Sequence, residues 1–73
     1  MTNEEKISIL ASDVFDVDIA DIAPETILEE SEYWDSMSKL ALIALFDSKF
    51  NKTIKGIDVK KFKTIQDILN AMN

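Results

Sequence analysis

Ser36 stands between Asp35 and Met37 in the stretch EYWDSMSKLALIALF, residues 32–46. It is a hydroxyl beside a carboxylate, directly ahead of the most apolar run of the chain. That run reads as a helix, so the serine falls at a helix N-terminus. Unpaired backbone N–H groups and the helix dipole favour negative charge there, and the hydroxyl is one to which a phosphate could be attached. A serine in the first turn of a helix is more often a cap. Its surroundings set this one apart: an adjoining acid, a long connection leading in, and an apolar strip that begins on the next residue.

The remaining chemical inventory is sparse. The 73 residues include no histidine and no cysteine, and all eight basic residues are lysines. Catalysis would have to rest on carboxylates, lysines and hydroxyls, so the chain reads as a protein acted upon rather than an enzyme. It can form no disulfide and has no thiol of its own. Asp13, Asp16, Asp18 and Asp21 raise calcium binding as a rival function. An EF-hand loop counted from Asp16 would need glycine at the sixth position and an acid at the twelfth, where this chain has Asp21 and Ile27. No metal ligands are assigned, and divalent ions would act on these acids mainly by screening charge.

Net charge is −6 and unevenly spread: residues 1–35 carry −10 and residues 36–73 carry +4. The acidic half should be repelled by nucleic acid and by anionic membranes. The lysine-rich half lacks the arginine fork that grips phosphates and guanine edges. Neither nucleic acid nor a membrane span is expected. No apolar run reaches spanning length, and the acidic start MTNEEKIS is the opposite of a signal peptide. The composition suits a reducing cytoplasm. With 47% apolar residues, the chain can build one small core but not two, so residues 1–73 are expected to form one domain.

The elements that must position Ser36 follow from periodicity and caps. Helix 1 is expected over residues 3–15, opened by a Thr2/Glu5 capping box and burying Ile7, Leu10, Ala11 and Val14. Residues 16–34 form a long acidic connection holding the only proline, Pro24. Ile19, Ile22, Ile27 and Leu28 should pin it to the core, with room for a short helical turn. A loop this long in so small a chain points to function. Helix 2 is expected over residues 36–50, with Asp35 as N-cap and Lys49 and Lys52 near its negative end. NKTIKG then reads as a loop with Gly56 free to take positive φ. A short helix 3 should start at Asp58 and take in residues 59–62, and helix 4 should follow a Thr64/Asp67 cap and bury Ile65, Ile68, Leu69 and Met72. No strand is expected. The sum is an all-α protein, a small four-helix bundle of three longer helices and one short one.

Helix 2 is apolar nearly all round. Leu42, Phe46 and Phe50 share one face with Ile43 at its flank, while Met37, Leu40, Ala41 and Ala44 point elsewhere. Complete burial of a helix is difficult in so small a protein. The second strip therefore implies contact with a partner or a bound apolar chain, unless it packs under the long loop.

Asp35-Ser36-Met37 resembles the D-S-L triplet of acyl carrier proteins, in which the serine carries 4′-phosphopantetheine; the D-S-M variant also resembles D-alanyl carrier proteins. The likeness extends over essentially the full chain. Leu42, Ile43, Phe46, Phe50 and Ile54 match the family's apolar spacing after the serine. Phe62-Lys63-Thr64-Ile65-Gln66-Asp67 resembles the approach to its last helix, and Asp21-Ile22-Ala23-Pro24-Glu25-Thr26 fits its acidic loop. Glu32-Tyr33-Trp34-Asp35-Ser36 resembles stand-alone carriers outside housekeeping fatty-acid synthesis. The chain departs from fatty-acid carriers where acids are expected after the serine: it has Ser38, Lys39 and Ala41, then Asp47 and Ser48.

The resemblance implies an acyl-carrier-like bundle that is itself no enzyme. It implies phosphopantetheine on Ser36 beside Asp35, carrying acyl or aminoacyl groups as thioesters. Its partners would be a phosphopantetheinyl transferase and acyl-loading and acyl-transfer enzymes, with the carrier a monomer in the cytoplasm. Met37, Lys39, Leu40, Ala41 and Ala44 are the expected docking residues. Leu42, Phe46, Ile54, Val59 and Phe62 are expected to line a groove for apolar cargo. An unmodified helical interaction module would share the bundle and the apolar strip, and is the rival of another class.

Overall fold

The computed structural model describes residues 2–72. Four α-helices and no strand occur among them: α1 (Asn3–Ile9), α2 (Ser36–Lys49), α3 (Gly56–Lys60) and α4 (Ile65–Ala71). The fold is therefore the expected small helical bundle. No helix is long and apolar enough to cross a membrane among the described residues.

Thr2 opens α1 as the sequence predicts. Its hydroxyl accepts the Glu5 N–H at 3.2 Å, and its own N–H donates to Glu5 Oε1 at 3.1 Å. These bonds, the backbone one foremost, hold the Glu5 carboxyl below the ordinary glutamate range. The helix then widens into a π-helical segment, Leu10–Phe15. Ser12 donates to the Ser8 carbonyl at 3.0 Å within this stretch, a back-bond that competes with the regular ladder. Asp16 ends the segment at φ 54°, which lets the Val17 N–H reach back to the Ala11 carbonyl at 3.0 Å.

Asn51 ends α2 in the same way, at φ 52°, with the Lys52 N–H returning to Phe46 O at 2.9 Å. The sequence suggested Gly56 for a positive φ, but Gly56 is the first residue of α3 and has none. The break after α2 is made at Asn51, a residue type that tolerates the left-handed region. Helix α3 accordingly starts earlier than Asp58, and Asp58 Oδ2 accepts the Lys55 N–H at its mouth at 2.9 Å. Thr64 and Asp67 cap α4 as expected.

The core gathers Leu10, Ala11, Val14 and Phe15 from the π segment, Leu42, Leu45 and Phe46 from α2, and Ile65, Ile68 and Leu69 from α4. Helix α2 packs chiefly on the π segment; α1 meets α4 and α2 meets α3. The connection contains two 3-10 turns, Ile19–Asp21 and Leu28–Glu30. Ile22 and Leu28 pin it to the core, whereas Ile19 and Ile27 stay about half exposed and do not. Backbone bonds replace them. An isolated antiparallel bridge joins Ile27 to Thr64. Leu28 N–H donates to Lys63 O at 2.9 Å, Ile65 N–H to Thr26 O at 3.1 Å, and Gln66 N–H to Pro24 O at 2.8 Å. The cationic side chains at the end of α2 and just beyond it divide their work. Lys49 pairs with Asp13 at 3.9 Å, and Lys52 Nζ donates at 3.0 Å to Ala71 O, at the end of α4.

Candidate functional site

The mouth of α2 is built by a reciprocal cap. Asp35 Oδ1 accepts the Ser38 N–H at 2.9 Å, while Ser38 Oγ accepts the Asp35 N–H at 3.0 Å and donates to Asp35 O at 3.0 Å. Ser38 is buried in this role. The capping serine is thus Ser38, and Ser36 is spared. The Ser36 side chain is exposed and makes no hydrogen bond to any described residue. The backbone N–H groups of Ser36 and Met37 likewise find no acceptor among the described residues. A free hydroxyl and two free amide donors therefore meet at the positive end of a 14-residue helix.

Aromatic packing fixes where this mouth sits. Tyr33 and Trp34 close the connection by packing on Phe15, with ring centroids 4.6 and 6.2 Å away. The Lys39 ammonium lies 5.4 Å from the Trp34 ring centroid. The residues just before Asp35 are thereby anchored to the core from one side and to α2 from the other. Burial leaves the Tyr33 hydroxyl with no hydrogen-bond partner among the described residues.

Beside Ser36 runs a groove of about 310 Å³ between α2 and α3, lined by Ser36, Lys39, Leu40, Ile43, Gly56, Val59 and Lys60. Its floor is aliphatic and its charged members are both lysines. A neighbouring hollow of about 350 Å³ shares Lys39, Val59 and Lys60 and adds Glu29, Trp34 and Phe62. The larger hollow, about 510 Å³, shares no residue with these two and is lined by Ser12, Asp16, Asp18 and Asp21 among others. No three acidic side chains converge as a metal site among the described residues.

Of the expected groove residues, Val59 lines both hollows and Phe62 the second. Ile54 is half-buried against the core. Leu42 and Phe46 belong to the core and are fully buried, so they line no open groove. At 100° per residue Leu42 lies about 200° round from Leu40 and faces the π segment instead. Ile43, one turn beyond Leu40, takes the groove position, and Gly56 and Lys60 complete it from α3. Of the expected docking residues, Met37, Leu40 and Ala44 are exposed and Lys39 is half-exposed. Ala41 is partly buried and packs against the core.

The chain is 30% identical over 69 residues to a protein of Thermosynechococcus vestitus named acyl carrier protein. The match covers 94% of this chain and 85% of that relative. No family model matches the chain, and no solved structure matches it significantly.

Proposed function

The chain belongs to the acyl carrier protein family, and from that premise we propose that Ser36 is the residue to which 4′-phosphopantetheine is attached. The observation that carries this reading is the exposed, hydrogen-bond-free Ser36 hydroxyl at the mouth of α2, beside an aliphatic groove. The residues present fit the group. The free amides of Ser36 and Met37 are suited to its phosphate, and Leu40, Ile43 and Val59 suit an apolar chain laid along the groove.

A partner transferase would deliver the group from coenzyme A. The Ser36 oxygen forms the new bond to phosphorus and loses its proton, and adenosine 3′,5′-bisphosphate leaves. When bound, the group supplies the thiol that this cysteine-free chain lacks, and acyl or aminoacyl cargo is held on it as a thioester. Asp35 acts by holding the helix mouth open through its bond to Ser38. Met37, Lys39, Leu40 and Ala44 present α2 to partner enzymes.

In this reading residues 1–73 act as one monomeric cytoplasmic carrier domain, a substrate of partner enzymes and not itself an enzyme. Its pathway is a specialised one rather than housekeeping fatty-acid or lipid synthesis, because α2 carries a single acid, Asp47. A D-alanyl or other aminoacyl cargo would use the same attachment, and the Asp35-Ser36-Met37 triplet is compatible with it.

Incubation with coenzyme A and a broad-specificity transferase should raise the intact mass by one phosphopantetheine. An unchanged mass with two such transferases would favour an unmodified interaction module. The pathway reading is tested separately, by loading the modified protein with a housekeeping malonyl transferase. Slow loading is expected; loading as fast as a fatty-acid carrier contradicts it.

A further inference from the structure

Three of the most exposed large apolar side chains flank the Ser36 groove. Met37 is 81% exposed, Leu40, one turn on, is 67% exposed, and Ile57, which follows groove residue Gly56 on α3, is 64% exposed. A cluster of this kind on so small a chain marks an interaction surface. The charge lining the groove is of one sign. Lys39 and Lys60 line the groove and no carboxylate does. Neither lysine has a carboxylate within ion-pair distance among the described residues. The Trp34 ring holds the Lys39 ammonium in place without neutralising it.

Two nearby acids are engaged at helix ends, and Asp47, the one acid of α2, stands a turn beyond Ile43 and outside the groove. Asp35 accepts the Ser38 N–H and Asp58 the Lys55 N–H, each at 2.9 Å, where the dipole takes up part of the charge. Glu29 lines the neighbouring hollow together with both lysines, Trp34 and Phe62, but stands outside ion-pair distance of either lysine. Two lysines thus border an apolar centre on a chain whose net charge is −6. An apolar centre with a charged rim is the usual anatomy of a docking site, and the complementary rim is acidic.

We propose that the α2–α3 face around Ser36 docks partner proteins whose contact surface is apolar at its centre and carboxylate-bearing at its rim. The inference rests on the carrier reading only in that such partners would be the enzymes working at Ser36. A basic partner would be drawn to the chain as a whole but turned away from this face; an acidic one is admitted here and repelled elsewhere. The face therefore selects orientation as well as identity.

The test uses the unmodified protein, labelled for amide NMR, and two helical peptides. Both carry leucines along one face; the other positions are glutamate in one peptide and lysine in the other. The glutamate peptide should shift the signals of residues 36–44 and 56–61 and bind about tenfold more tightly at low salt than the lysine peptide. Its advantage should shrink as salt rises. The pair Lys39→Glu/Lys60→Glu should reverse the preference, with circular dichroism confirming that the variant is folded. The proposal is overturned if the lysine peptide binds this face as well or better, if the glutamate peptide binds elsewhere, or if neither binds. No transferase takes part, so these outcomes are separate from failure of Ser36 to be modified.

Discussion

Leu40 and Leu42 are two residues apart on one helix, and truncating them should have opposite consequences. Leu42 is fully buried in the core, whereas Leu40 is 67% exposed at the groove. Leu42→Ala removes a completely buried side chain and leaves a cavity, which costs about 2–5 kcal/mol. A domain of 73 residues has a total stability of roughly 4–11 kcal/mol, so this loss is a large share of it. The melting temperature should fall by about 10 °C or more. Full burial of a leucine side chain is worth about 1.5–3 kcal/mol, and Leu40 realises about a third of that. Alanine's better helix propensity returns a few tenths, so Leu40→Ala should cost under about 1 kcal/mol. Urea and thermal unfolding followed by circular dichroism measure both. The functional assay should invert the order: Leu40→Ala slows modification by a transferase in the folded protein, and Leu42→Ala acts only through the unfolded fraction. Equal destabilisation by the two variants would refute the assignment of helix faces.

Other substitutions probe the parts that hold the site. Tyr33→Phe removes a buried hydroxyl that has no partner among the described residues and should raise stability by about 1 kcal/mol, or about 4–8 °C in melting temperature; a loss of similar size would show that the hydroxyl is satisfied in solution. Asp35→Ala should cost about 1 kcal/mol by opening the cap on Ser38, while Asp35→Asn keeps an acceptor and should cost about half that or less. Equal losses by circular dichroism would mean that charge, not the cap bond, carries the effect. The depressed Glu5 carboxyl sets a sign for acid sensitivity. Its bonds to Thr2 contribute stability above the ordinary value of 4.5, and that contribution is lost as pH falls through the lower folded-state value. An NMR titration of Glu5 should therefore have its midpoint below 4.5, and a midpoint at or above it would show that the α1 cap does not form.

Features decided within a few residues could be read from the sequence. The Thr2/Glu5 and Thr64/Asp67 caps, the Asp35 cap and the helical period that buries Ile65, Ile68 and Leu69 are all local. Ser38 went unread as a capping residue, although Asp35 three places before it is a reciprocal-cap spacing. Leu45 likewise went unread, although it stands three residues after Leu42 on the same helical face and is buried with it. The misreadings lie where tertiary packing decides. Ile19 and Ile27 look like anchors, but bridging backbone bonds to the approach of α4 do that work. The groove pairs Leu40 and Ile43 with Gly56 and Lys60 across a loop, and only the crossing of α2 and α3 brings these residues together.

The central claim is that the hydroxyl left free by the Asp35–Ser38 cap is the one that is modified. After reaction with coenzyme A and a broad-specificity transferase, fragment-ion mass spectrometry can distinguish Ser36 from Ser38, with Ser36→Ala and Ser38→Ala as paired controls. The account predicts one phosphopantetheine on Ser36, none in Ser36→Ala, and retained modification in a less stable Ser38→Ala. Modification at Ser38, or a Ser36→Ala variant that still gains the group, would contradict it.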